Sequence, residues 1–158
     1  MFTEENLRKL EELKGRYPTT KALTLHALWM AQEQFGWIST DTMKYVAGLL
    51  DLPFSHVYSV VSFYTMFNAK PVGKKHLQVC TNVSCQLRGA DKLLDHVCSR
   101  LNVKVGGTTP DRQFTVSEVE CLGSCGTAPM MQVNDGYYEN LSLEKVDQLL
   151  SKLSRPNE

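Results

Sequence analysis

Two pairs of cysteines carry the chemistry this chain is best equipped for: Cys80-Thr-Asn-Val-Ser-Cys85 and Cys121-Leu-Gly-Ser-Cys125. The spacing is C-x4-C, then 35 residues, then C-x3-C. Four thiolates brought together can hold an iron–sulfur cluster, a zinc ion or two disulfides. The pairs differ in length and local sequence, so they read as two loops of one domain converging on one site and not as a repeated zinc knuckle. A [2Fe–2S] cluster takes four thiolates from two approaching loops, and its anionic core favours backbone N–H groups aimed at the sulfurs. Gly123 and Gly126 flank Cys125 and let the chain curl close. Thr81, Ser84 and Ser124 are small hydroxyl residues able to donate hydrogen bonds to sulfur. Zinc sites usually show C-x2–4-C pairs. One pair here fits that range and the other lies at its edge, so spacing alone leaves zinc open. A thioredoxin-type redox pair would need C-x2-C, which is missing. Cys98 reads as a buried small hydrophobe. His26, His56, His76 and His96 are scattered and none adjoins a cysteine, which argues against Rieske ligation.

The elements that must position these residues can be read from the rest of the chain. At 158 residues it is long enough to fold without a staple. The 17 basic and 17 acidic side chains cancel, so no charge field points to nucleic acid. The start, Met-Phe-Thr-Glu-Glu-Asn, is neither a signal peptide nor a transit peptide. A reducing cytosol is therefore expected, where several cysteines mean metal or redox chemistry more often than disulfides. Leu52 to Ala69 carries no charge, but Pro53, His56, Asn68 and several hydroxyl residues make it a buried or partner-facing segment and not a membrane span.

Residues 1–70 read as four short helices. Thr3 is placed to N-cap the first, with Phe2 and Leu7 as a hydrophobic staple and Leu7, Leu10 and Leu13 inward. The second runs from Lys21 to Gln34 with Leu25, Leu28, Trp29 and Gln32 on one face, and Gly36 at its C-terminal end. Ser39 or Thr40 opens the third, carrying Met43, Val46, Ala47 and Leu50. Pro53 and Ser55 open the fourth, with Val57, Val60, Val61 and Tyr64 inward. Trp29 and Trp37 are expected in the bundle packing. Phe63, Tyr64, Met66 and Phe67 form an apolar cluster that suits either the bundle core or a partner surface.

Residues 71–158 have a different texture. His76 to Cys80 alternates like a strand ending at the first cysteine. A single helix is expected from Gln86 to Leu101, with Leu87, Ala90, Leu93, Leu94, Val97 and Leu101 as its apolar stripe. Phe114 to Glu120 reads as a strand ending at the second pair. Met130 to Val133 and Tyr137 to Leu141 form a hairpin about Asn134-Asp135-Gly136. Ser142 caps a last helix with Leu143, Val146, Leu149, Leu150 and Leu153 inward. The order β-α-β-β-β-α is that of a small α/β sandwich, so the class is α+β with two domains. Both pairs follow strands, which places both loops at one edge of the sheet. No G-x-G-x-x-G loop follows a strand, so no hydride site is expected in this chain.

The run Glu118-Val-Glu-Cys121-Leu-Gly-Ser-Cys125-Gly-Thr-Ala-Pro-Met130, with Cys80-Thr-Asn-Val-Ser-Cys85, resembles the small [2Fe–2S] subunit of NADH:quinone oxidoreductase (respiratory complex I). Phe63-Tyr-Thr-Met-Phe67 and Gly107-Thr-Thr-Pro-Asp111 are similar to that family as well, and the likeness spans nearly the whole chain. The resemblance implies a small helical bundle followed by a thioredoxin-like α/β ferredoxin domain. It implies a [2Fe–2S] cluster on Cys80, Cys85, Cys121 and Cys125, and pairing with a larger subunit that holds FMN and binds NADH. It further implies one-electron transfer with that flavin, and a place in the cytoplasm of a bacterium, peripheral to the inner membrane through the complex. The equivalent subunit of an NAD(P)-linked hydrogenase or formate dehydrogenase shares this module, and a zinc-stabilised binding module is the reading from another class. Gly126-Thr127 stands where several relatives carry larger or amide residues. By analogy with thioredoxins, Pro129 is a candidate cis proline.

Overall fold

A computed structural model describes residues 1–154. The chain divides into two compact units, Met1–Pro71 and Val72–Glu158.

The first unit is built from α1 (Glu4–Lys14), α2 (Thr24–Phe35), α3 (Thr40–Leu50) and α4 (Phe54–Phe63), with a 3-10 turn at Thr20–Leu23. The hydroxyl of Thr3 accepts the Asn6 N–H at 3.2 Å, and that of Ser39 accepts the Thr42 N–H at 3.0 Å, so both expected N-caps form. The staple does not. Phe2 is buried, but it packs edge-on against Tyr45 at 5.3 Å while Leu7 lies exposed. The second helix also differs from expectation. Its first residues form the 3-10 turn, and its inward face is Thr24, Ala27, Leu28 and Ala31. Trp29 is 41% exposed, in a T-shaped pair with Phe67 at 5.7 Å between ring centroids. Small residues let α2 approach its neighbours closely, and an indole at such a position has no room. Gln32 is a tether: its amide donates to the Met66 carbonyl at 2.9 Å and accepts the Asn68 N–H at 2.6 Å. Met43, Val46, Ala47 and Leu50 of α3, and Val57 and Val61 of α4, point inward as the spacing requires. Of the aromatic cluster after α4, Phe67 joins this core, and Phe63, Tyr64 and Met66 stay exposed.

The second unit is a four-stranded mixed sheet with helices against it. Its elements are β1 (Lys75–Cys80), α5 (Val83–Leu87), α6 (Ala90–Leu101), β2 (Phe114–Val119), β3 (Met131–Val133), β4 (Gly136–Tyr138) and α7 (Leu143–Leu153). The sheet order is β2-β1-β3-β4, with β1 parallel to β2 and antiparallel to β3. Leu77 and Val79 of β1 and Met131 of β3 are fully buried, in one core with Leu93 and Val97 of α6 and Val146, Leu149 and Leu150 of α7. Burying each of these large side chains contributes about 1.5–3 kcal/mol. Asp147 of α7 ties the two helices at their rim, accepting from His96 at 2.9 Å and Arg100 at 2.8 Å. Cys98 is half-buried against this core, and burial followed by the Asp95 charge raises its thiol pKa.

The single helix expected from Gln86 to Leu101 is two helices. The chain breaks at Arg88-Gly89, with Gly89 at φ 89°, a left-handed backbone that only glycine adopts without strain. Leu87 falls on the far side of that break and is 83% exposed, outside the apolar stripe. Leu143 likewise lies exposed at the start of α7. The strand end at Val119, the shorter β4 and the hairpin at Asn134-Asp135 differ from the expected bounds by a few residues at most.

A candidate iron–sulfur centre

Parallel pairing of β1 and β2 decides where the cysteines go. In that register Cys80 stands beside Val119, so both strands end at one edge of the sheet and both cysteine loops leave from it. Cys80 is the last residue of β1 and its N–H donates to the Met130 carbonyl at 3.3 Å. Cys85 lies on α5, a helix of five residues whose last turn is closed by the Arg88 N–H on the Cys85 carbonyl at 3.1 Å. Cys121 follows β2 by two residues, and Cys125 opens a 3-10 turn, Cys125–Thr127. The bond between Ala128 and Pro129 is cis and leads into β3.

The two pairs sit in different surroundings. Cys80 and Cys85 are each 2% exposed, in a small apolar nest with Ala90, Ala128 and Met130 against which Leu122 packs. Cys121 and Cys125 are exposed, with their sulfurs 3.4 Å apart. That exceeds a disulfide bond of about 2.03–2.05 Å, and all five cysteines are free thiols. Burial, then the Cys80 thiol beside it, pushes the Cys85 pKa up to about 11, and a backbone hydrogen bond from Met130 opposes the shift. Cys121 moves the other way, because the Gly123 N–H donates to its sulfur at 3.4 Å, with the Cys125 thiol adding to the effect. Cys125 is raised, chiefly by Cys121, against the lowering effect of the Ser84 hydroxyl. Cys125 acts on Cys85, and Cys80 on Cys125, through space, so the two pairs lie within electrostatic reach.

All four sequence-predicted residues therefore meet at one sheet edge. Among the described residues, no three His, Cys, Asp or Glu side chains gather closely enough for one metal ion. Of the three candidate sulfur donors only Ser84 acts on a thiol. Thr81 donates to Glu118 at 2.8 Å, and Ser124 donates to Glu139. Those carboxylates lie outside both cysteine motifs and intercept the hydroxyls, and nothing in the motifs signals them. Gly123 has φ 83°, as a turn that aims its N–H back at Cys121 requires, whereas a side chain on Gly126 would meet open space. The four histidines find hydrogen-bond partners other than cysteine: His26 meets Tyr17, His56 meets Thr24, His76 meets Ser117 and His96 meets Asp147. Met130 and Tyr137 are not legible from the sequence as site residues. Met130 is 1% exposed against the buried pair, and the Tyr137 hydroxyl reaches the Leu122 carbonyl at 2.8 Å.

The model of the thioredoxin-like [2Fe–2S] ferredoxin family matches residues 10–154. The chain belongs to that family. It is 44% identical over 155 residues to the E subunit of NADH-quinone oxidoreductase from Rickettsia conorii, covering 96% of this chain and 93% of that one. It is 42% identical over 142 residues to the second E subunit of NADH-quinone oxidoreductase from Rhizobium meliloti, covering 90% of this chain and 84% of that one. Among solved structures, an NAD+-reducing [NiFe]-hydrogenase in its air-oxidized state matches 83% of this chain with a TM-score of 0.73 at 22% identity. The match takes up 22% of the hydrogenase chain, and at that identity the likeness is one of fold.

Proposed function

We propose that this chain is the one-electron-transfer subunit of an NADH-quinone oxidoreductase, with a [2Fe–2S] cluster held by Cys80, Cys85, Cys121 and Cys125. The observation that carries the reading is the arrival of two thiol pairs at one edge of the sheet, in a chain 44% identical over nearly its full length to a subunit of the Rickettsia conorii NADH-quinone oxidoreductase. A four-coordinate zinc needs four ligands converged on one point, whereas a two-iron cluster takes one pair of ligands for each iron. Two thiol pairs arriving at one sheet edge, in a chain of the thioredoxin-like [2Fe–2S] ferredoxin family, favour the second arrangement over a zinc-stabilised module. Bound there, an all-thiolate cluster supplies one-electron storage at low potential, near roughly −400 mV in plant-type examples.

The chain's own residues do the rest. The nest of Ala90, Ala128 and Met130 keeps water from the inner pair. The Gly123 N–H places a donor on an outer sulfur, and hydrogen bonds of this kind tune cluster potentials. The exposed outer pair leaves one side of the site open to an electron donor or acceptor. We infer that this partner is a subunit carrying FMN and the NADH site, since the sequence shows no dinucleotide-binding glycine loop after a strand. We also assign residues 1–70 to a helical bundle and residues 71–158 to the thioredoxin-like [2Fe–2S] domain. No helix of the described residues is long and apolar enough to cross a membrane, which suits a peripheral place at the cytoplasmic side of the inner membrane through the complex.

The test is made in the assembled complex. Cys121→Ala should remove one [2Fe–2S] electron paramagnetic resonance (EPR) signal and leave the other centres in place. A complex that assembles with Cys121→Ala and keeps every iron–sulfur signal contradicts the reading.

A further inference from the structure

We infer that the return arm of the β3–β4 hairpin, through Tyr137 and Glu139, is the positioning element of the exposed thiol pair. This rests on the ligand assignment proposed above. The inner pair is fixed by packing, but Cys121 and Cys125 have no apolar nest, and their loop is held by polar bonds. Within it the Gly123 N–H donates to the Cys121 sulfur at 3.4 Å, the Thr127 N–H and hydroxyl each donate to the Ser124 carbonyl at 3.1 Å, and the Ser124 and Thr127 hydroxyls pair at 2.6 Å. The arm supplies three more within four residues. The Tyr137 hydroxyl donates to the Leu122 carbonyl at 2.8 Å, the Glu139 carboxylate accepts from the Ser124 hydroxyl, and the Asn140 N–H donates to the Thr127 carbonyl at 2.7 Å.

The Tyr137 bond has a direct route to sulfur. The Leu122 carbonyl and the Gly123 N–H belong to one peptide unit, which is planar, with the C=O and N–H bonds pointing to opposite sides and their dipoles aligned. Tyr137 grips the oxygen side of that plane while the N–H side faces Cys121. Gly123, at φ 83° with open space around its Cα, does nothing to fix the plane's tilt by packing. The phenol therefore sets the aim of the sulfur's donor, and bonds in series strengthen each other. Tyr137 is half-exposed, so its ring adds little core packing and its hydroxyl is the part with a defined partner. Glu139 acts by a second path. It engages the Ser124 hydroxyl, which also pairs with Thr127 at 2.6 Å, and so holds the turn that begins at Cys125.

A cluster gains negative charge on reduction, so a donor on its sulfur favours the reduced form. In the full chain carrying the cluster, Tyr137→Phe is expected to shift the midpoint potential to more negative values and to alter the EPR g values, while far-UV dichroism and thermal unfolding of the metal-free chain match wild type. Cluster loss to excess EDTA, followed by visible bleaching, should run several-fold faster in Glu139→Ala. In Glu139→Gln, which keeps an acceptor for Ser124, it should stay within about twofold of wild type. Wild-type potential and g values in Tyr137→Phe, together with wild-type bleaching rates in both Glu139 variants, overturn the inference and leave the ligand assignment standing. A wild-type chain that takes up no [2Fe–2S] cluster on anaerobic reconstitution overturns both.

Discussion

The two cysteine pairs are held in place by different physics. Cys80 and Cys85 are placed by a strand end, a one-turn helix and an apolar nest, and are 2% exposed. Cys121 and Cys125 are placed by a glycine-bearing turn and a set of polar bonds, and lie open to solvent. One pair is positioned by the force that folds the domain, so it cannot move without unfolding something. The other is positioned by hydrogen bonds, each worth only about 0.5–1.5 kcal/mol, so its geometry can be altered while the fold survives. The inner pair is thus anchored, and the outer pair can be adjusted without disturbing the fold.

The comparison breaks most sharply at Met130. Met130→Ala deletes a side chain 1% exposed beside the buried pair, and should cost about 2–5 kcal/mol in urea unfolding of the metal-free chain. Less than about 0.5 kcal/mol there would mean that the inner pair does not depend on its nest. Next in size is reactivity. In the metal-free chain Cys121 is exposed with its pKa lowered from 9.0, and Cys85 is buried with its pKa raised from 9.0 to about 11. Near pH 8 the thiolate populations should differ by about a hundredfold or more, so mass spectrometry should find Cys121 alkylated long before Cys85. A folded-state pKa above the unfolded value means the protonated thiol belongs to the fold, so stability is intact below about pH 9 and falls as pH rises toward 11. Equal alkylation rates would erase the distinction between the pairs.

Gly123→Ala forces a Cβ into φ 83° at about 1–2 kcal/mol. The strain falls on the exposed loop, so cluster yield should drop while the melting temperature of the metal-free chain changes little. The smallest effect belongs to Thr81→Val. Its hydroxyl serves Glu118 and not sulfur, so stability should change by about 0.5 kcal/mol or less and the EPR spectrum should be unaltered. A shifted spectrum would restore Thr81 as a sulfur donor.

Much of this is legible in the chain. The cysteine spacing points to one site, and strand patterns ending at Cys80 and near Cys121 place both loops at one edge, because each signal is local. The break at Gly89 is hidden because Leu87 continues the apolar period across it, and periodicity carries no record of a turn that interrupts it. Spacing alone puts Trp29 in the bundle interior, but close helix packing favours Ala27 and Ala31 there. The partners of Thr81 and Ser124 lie on β2 and just beyond β4, and only the folded sheet brings them near. The same holds for Tyr137, whose role depends on a carbonyl fifteen residues away.

The central claim is that these four thiols hold two irons as two pairs. Its most direct test is the iron, sulfide and zinc content of the purified full chain, with visible absorption and low-temperature EPR before and after dithionite. The account predicts two irons and two sulfides per chain, a coloured protein that bleaches, and a spin-one-half signal that appears only on reduction and is lost in Cys121→Ala. A colourless, EPR-silent chain holding one zinc would contradict it.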